Sequence, residues 1–188
     1  MRATRPGALL LVLIVGVAAC SGSDDDDDGA DLGTTSTIAP AAAPDLPAES
    51  PAGTGVVVIG DTNASFAVTE CQLEPGEADG VTTPLVRVAG EGTTGTGVPF
   101  EVTVERSSTA GAAETFTDAI TYSDTGRILQ LQRVEVAGEV VDLRDPDARG
   151  TLVRVRPGGV SATGIAGPPG TVAAEDPGLV GLAVDATC

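Results

Sequence analysis

The chain has 188 residues, with 27 acidic and 10 basic side chains, a formal net charge of −17 and no histidine. So acidic a surface repels polyanions, which argues against nucleic acid as a partner and against a face for anionic lipid headgroups. With neither histidine nor lysine in the sequence, the side chains most easily tuned as bases near neutral pH are missing, and a non-enzymatic role is expected, with no cofactor and no metal.

Arg2 and Arg5 open the chain and are followed by an apolar run over residues 8–19. Spanning a bilayer takes roughly 20 apolar residues, so this run is too short for a stable transmembrane helix. A positive flank, a short apolar stretch and small residues behind it are the pattern of a secretory signal peptide, here residues 1–19. Ala3 and Thr4 separate the two arginines, which points to export by the general route rather than by a twin-arginine signal.

At the end of the run stands Val17-Ala18-Ala19-Cys20, which resembles the lipobox of bacterial lipoproteins: a branched apolar residue, two small ones, then cysteine. The resemblance implies a diacylglycerol on the Cys20 sulfur, cleavage just before it and acylation, as by palmitate, of the new amino terminus. The competing reading is an ordinary secretory signal whose cleavage site includes a cysteine. Two or three acyl chains anchor a protein durably where one does not. The expected location is therefore the cell membrane, lipid-anchored on its extracytoplasmic face, with the acyl groups as the membrane contact. Loss of residues 1–19 removes two arginines and no acid, leaving 8 basic and 27 acidic side chains, a net charge of −19.

Residues 20–55 carry the lipidated cysteine and then Asp, Thr, Ala, Pro, Gly and Ser, with isolated aliphatics and no aromatic residue. Such a composition does not bury enough apolar area to offset the entropy of ordering, so a disordered acidic and Thr/Pro/Ala-rich tether is expected. Calcium needs ligands converging from a shaped loop, whereas Asp24 to Asp28 are five adjacent acids, read here as a solvated spacer. The cluster Thr34-Thr35-Ser36-Thr37 has the composition of an O-glycosylated stalk, but a plain linker is the expectation.

Residues 56–188, 133 in all, suffice for one domain with a core. Val98, Phe100, Val102 and Val104 alternate with polar residues, the period of a strand with one buried face. Further strands are expected at 56–59, 64–72, 85–89, 115–122, 127–136, 140–143, 151–156, 160–165 and 179–188. Turn formers separate them, among them Ser123-Asp124-Thr125-Gly126 and Pro157-Gly158-Gly159. Many short strands without a helical period predict an all-β domain, an antiparallel β-sandwich or barrel-like fold. The expected inward residues, Val68, Val102, Val104, Ile120, Leu131, Val153, Val155 and Val184, are of medium size, and close packing without a ligand-sized cavity is anticipated.

With Cys20 lipidated, Cys71 and Cys188 form an even pair in an oxidising compartment, where a disulfide is expected; two buried free thiols are the alternative. The lipobox, the tether, a strand beginning "VVVIG", Cys71, the stretch "GVSATGIAG" and the ending "GLAVDATC" resemble the mycobacterial nineteen-kilodalton lipoprotein antigen family. The likeness covers the layout and both ends of the domain, while residues 73–158 match poorly. It implies an actinobacterial surface antigen whose acylated terminus is sensed by host innate receptors, with no enzymatic activity. Cys71 and Cys188 fall where that family has its paired cysteines.

Three short motifs lead elsewhere. Gly90-Glu91-Gly92-Thr93-Thr94-Gly95 fits the dinucleotide pattern G-x-G-x-x-G, but a strand follows where a helix amino terminus is needed, so a strand connection is expected. Asn63-Ala64-Ser65 fits a glycosylation triplet and reads as a turn before a strand. Asp142, Asp145 and Asp147 suggest calcium, yet Arg144 and Arg149 stand between and beside them, and a salt-bridged turn is expected. Three functions then compete: a lipid-anchored surface-interaction or envelope-structural module meeting a protein or glycan, which is the expectation; a carrier or binding protein for a hydrophobic envelope ligand; and a hydrolase built on two carboxylates.

Overall fold

The computed structural model describes residues 41–74, 84–109 and 115–188. The signal peptide, Cys20, the aspartate run and the threonine cluster lie outside these residues. Ile38–Cys188 form one compact unit.

Among the described residues period-two alternation produces ten strands: β1 Thr54–Ile59, β2 Thr62–Gln72, β3 Pro84–Thr93, β4 Pro99–Thr109, β5 Thr115–Asp124, β6 Ile128–Val136, β7 Glu139–Val141, β8 Arg154–Arg156, β9 Gly159–Ala166 and β10 Val180–Thr187. Each overlaps a strand expected from the sequence. Neighbours pair antiparallel in one sheet, in the order β7-β6-β5-β4-β3-β2-β1-β10-β9-β8. The sheet twists until β6 meets β9, where Gln130 and Gly167 exchange both backbone hydrogen bonds at 2.8 and 3.0 Å. The result is an all-β half-barrel, one ten-stranded antiparallel sheet curled on itself with β7 and β8 as its margins.

Register places the apolar series on one concave face. Val104, Ile120 and Leu131 lie side by side on β4, β5 and β6, and so do Val102, Tyr122 and Leu129. Val57 and Val184 face each other across β1 and β10. All eight are buried. Phe66 is large for so small a barrel, and Gly55 and Gly90 make room for it, since a Cβ at either would overlap its ring. The expected inward set holds with two corrections: Val155, on the marginal strand β8, is 47% exposed, and Val68 is only partly buried.

The chain before β1 is ordered further back than its composition implied. Residues 41–50 run along the outside of β10 and β9: the Ala42 carbonyl abuts Gly181, the Thr163 hydroxyl donates to the Pro44 carbonyl at 2.5 Å, and the Ser50 N–H donates to Asp185 at 2.8 Å. This strap covers the outer residues Ala183 and Asp185 while Leu182, Val184 and Ala186 pack inward, so β10 is buried on both faces. The end of the stretch expected to be tether, from residue 41 onward, therefore belongs to the folded unit.

A bulge between Val68 and Glu70 shifts the register of β2 so that Cys71 pairs with Val88. Cys71 and Cys188 form the expected disulfide, with Cα atoms 6.0 Å apart, and it fastens the end of the chain to the end of β2.

Candidate ligand-binding mouth of the barrel

Antiparallel order sends alternate connections to opposite ends. The β1–β2 turn, the β3–β4 loop over residues 94–98, the β5–β6 turn over 125–127 and the β9–β10 loop over 167–179 share one end, called here the mouth. Between the first three lies a cavity of about 570 Å³. Val57, Ile59, Ala64, Val98 and Tyr122 give it a mostly apolar wall, and Thr62, Asn63, Thr94, Thr96, Asp124 and Arg127 give it a polar rim. Val57 and Tyr122 are 1% and 0% exposed, so the core seals the cavity from beneath. The anticipated close packing holds below that level, but the mouth is open. The inward residues of medium size fill the middle of the barrel, and the loops stand apart above them.

The β5–β6 turn is built on Asp124. One carboxylate oxygen accepts the N–H groups of Gly126 at 2.8 Å and Arg127 at 2.9 Å, and the other accepts the Tyr122 hydroxyl at 2.9 Å and the Arg127 Nε–H at 3.2 Å. Partial burial pushes the Asp124 carboxyl up, but donation from Gly126, Tyr122 and Arg127 outweighs it and holds the group below its ordinary value. Tyr122 is pushed up, first by burial and then by its bond to Asp124. The Arg127 guanidinium lies 5.4 Å from the centre of the Tyr122 ring. Its side chain is half-exposed, leaving the terminal nitrogens at the rim. A second, more open cleft of about 700 Å³ lies beyond the same turn, against Leu129, Pro168, Pro169, Gly178 and Val180.

Among the described residues the barrel interior toward the opposite end is polar, and an open cleft of about 570 Å³ lies beside it along Glu135, Glu139, Arg149 and Thr151. Arg106, Asp118 and Arg133 continue the inward series of β4, β5 and β6. Asp118 accepts the N–H groups of Leu152 and Val153 at 2.8 and 3.1 Å and the Arg106 guanidinium at 3.1 Å. Burial pushes its carboxyl up more strongly than Val153, Arg106 and Leu152 pull it down. Arg133 pairs with Asp142 at 3.3 Å and donates to the Gly150 carbonyl at 3.2 Å. These bonds hold residues 142–153 against the barrel.

The residues singled out in the sequence are dispersed. Gly90 to Thr93 belong to β3 rather than to a connection, and only residues 94–98 form the loop. In the acidic stretch the bonding differs from a turn closed by its own salt bridges. Asp142 is engaged by Arg133 and by the N–H groups of Arg144 and Asp145. The Arg144 guanidinium donates to the carbonyls of Gln130 and Thr171, and that of Arg149 to those of Pro146 and Ala148. Asp124 and Arg127 escaped notice as a site because they read only as turn residues; the spacing of an aspartate two residues before glycine was their one signal.

The fold and this site define an all-β half-barrel with a small apolar cavity at one end. No protein-family model, no characterised protein and no solved structure matches the chain.

Proposed function

We propose that this protein is a lipid-anchored lipoprotein of the cell envelope, held by diacylglycerol and N-acyl groups on Cys20, whose barrel mouth binds a small hydrophobic ligand without chemistry. The observation that carries the ligand reading is the cavity of about 570 Å³ with apolar walls and a polar rim. That size lies within the ~300–1,000 Å³ of ordinary small-molecule sites, and barrel mouths are a recurrent place for them. The lipobox supports the anchor, and the resemblance to the mycobacterial antigen family supports the surface location. The binding reading displaces the interaction or structural module as the first choice, because such a module needs no cavity. A second reading keeps that module: Val141, Leu143 and Val172 are exposed together around a groove outside β6, which favours protein contact there.

Titration of the mature protein with the neutral apolar fluorophore N-phenyl-1-naphthylamine tests the proposal. Saturable one-site binding is expected, and it should be abolished by Ala64→Phe, which fills the cavity. Non-saturable binding, or binding indifferent to Ala64→Phe, overturns the assignment to the mouth.

A further inference from the structure

Resting on that binding reading, we infer that the mouth faces the bilayer that carries the protein and takes from it a neutral, hydroxylated, single-chain amphiphile. Two independent observations meet in this assignment: where the chain joins the barrel, and what lines the rim.

The strap runs antiparallel to β1. Its start, at Ala42 and Pro44, lies against Gly181 at the mouth end of β10, and its finish, at Ser50, lies against Asp185 toward the other end. The chain therefore joins the barrel at its mouth, although β1 itself begins at the opposite end. Twenty residues, 21–40, separate Cys20 from Ala41. The nine residues of β6, at ~3.4 Å each, make the barrel about 30 Å long. Attachment at the mouth thus puts the cavity at the end of the barrel where the chain from Cys20 enters, with the far end roughly a barrel length further on. Had the strap run the other way, the chain from Cys20 would have joined the barrel at the end away from the cavity.

The rim selects the head. Thr62, Asn63, Thr94, Thr96 and Thr125 supply hydroxyl and amide groups, and Arg127 supplies guanidinium donors beside them. Asn63 and Thr96 are exposed. Such groups suit a head rich in hydroxyl and carbonyl oxygens. An anionic head is disfavoured, because Asp61, Asp124, Glu175 and Asp176 stand on the mouth connections or strand ends against Arg127. Acids still outnumber bases there when Arg144, bonded to the Thr171 carbonyl, is counted. The apolar wall of Val57, Ile59, Ala64 and Val98 takes the tail. One chain is the appropriate load for a cavity of about 570 Å³ whose floor is sealed by Val57 and Tyr122.

The test uses the mature lipidated protein on phosphatidylcholine vesicles, with a fluorescent monoacylglycerol as probe and a lysophosphatidic acid of equal chain length as its anionic counterpart. The monoacylglycerol should bind at least about tenfold more tightly, and Ala64→Phe should weaken it by a similar factor, the scale of small changes in an apolar pocket. Thr96→Trp, on an exposed loop, should obstruct the mouth without disturbing the core and so covers the case in which Ala64→Phe does not fold. In parallel, a donor dye on Thr96→Cys should transfer energy to acceptor-labelled lipid more efficiently than the same dye on Glu139→Cys, at the opposite end. If neither probe binds, the ligand reading falls and this inference with it. Should the monoacylglycerol bind while the two dyes report equal distance, or the reverse order, the membrane-facing mouth alone is overturned. Equal or tighter binding of the anionic probe overturns the choice of head.

Discussion

Asp118→Ala separates the work of a buried carboxylate from that of a surface ion pair. In the Arg106–Asp118 pair the side chains are 16% and 5% exposed, and the same carboxylate accepts two buried N–H groups. Arg87 pairs with Glu70, at similar length, and with Glu105, and these three side chains are 37%, 49% and 33% exposed. Truncating one member of a buried pair costs about 3–5 kcal/mol, whereas an exposed pair is worth ~0–1 kcal/mol. Against a total stability of ~5–15 kcal/mol, only the first loss is large. With a urea m-value of ~2 kcal/mol/M, Asp118→Ala should lower the unfolding midpoint by about 2 M and Arg87→Ala, which breaks two exposed pairs, by less than ~1 M. The Asp118 carboxylate serves Arg106 as a charge and Leu152 and Val153 as an acceptor. Asp118→Asn keeps one acceptor oxygen but turns an amide N–H₂ toward Arg106, and an intermediate loss of about 1–3 kcal/mol is expected. Equal midpoints for Asp118→Ala and Arg87→Ala in disulfide-intact protein would refute the reasoning.

Four further outcomes are expected. Cys20→Ala should abolish partition into detergent and leave an uncleaved precursor or a released soluble protein; unchanged partition at the mature size would remove the lipobox reading. Cys188→Ser should cost roughly 2–5 kcal/mol in thermal or urea unfolding, and intact-mass measurement of the wild type should show two thiol hydrogens missing. Gly55→Ala forces a Cβ into the Phe66 ring and should cost about 1–3 kcal/mol, partly recovered in the double variant with Phe66→Leu; no recovery would show that the clash lies elsewhere. Asp124 has a folded-state pKa below its unfolded one, so its contribution is present above about pH 4 and is lost as pH falls through the unfolded value toward the folded one. Asp124→Asn should therefore flatten the acid limb of a stability-versus-pH curve.

The strands were legible because alternation is strong wherever one face is buried: Phe100, Val102 and Val104 stay inward along β4, and Glu101, Thr103 and Glu105 stay out. β10 broke that rule in a readable way. Val180-Gly181-Leu182-Ala183-Val184 is apolar without alternation, the pattern of a strand covered on both faces, yet nothing in the sequence says that residues 41–50 provide the cover. Prolines and alanines in that strap look like linker, and order comes from Thr163, Gly181 and Asp185, more than a hundred residues away. Asp118 sits in the inward series of Phe116, Ile120 and Tyr122, so a buried acid was signalled, but its partners Leu152 and Val153 were not. Val155 misled because alternation persists in a marginal strand that has no core beneath it. The cavity was not legible at all: side-chain size dictates how the barrel fills, while the spread of three loops above Tyr122 depends on tertiary geometry.

The central claim is that the open mouth holds a ligand, and weighing the native protein tests it most directly. The mature lipoprotein, released gently from its producing membrane and measured under non-denaturing conditions, should carry about one molar equivalent of a small amphiphile beyond its own acyl groups. The Ala64→Phe and Thr96→Trp variants should carry little. A wild-type mass equal to that of the acylated chain alone, in preparations that retain the disulfide, would contradict the account.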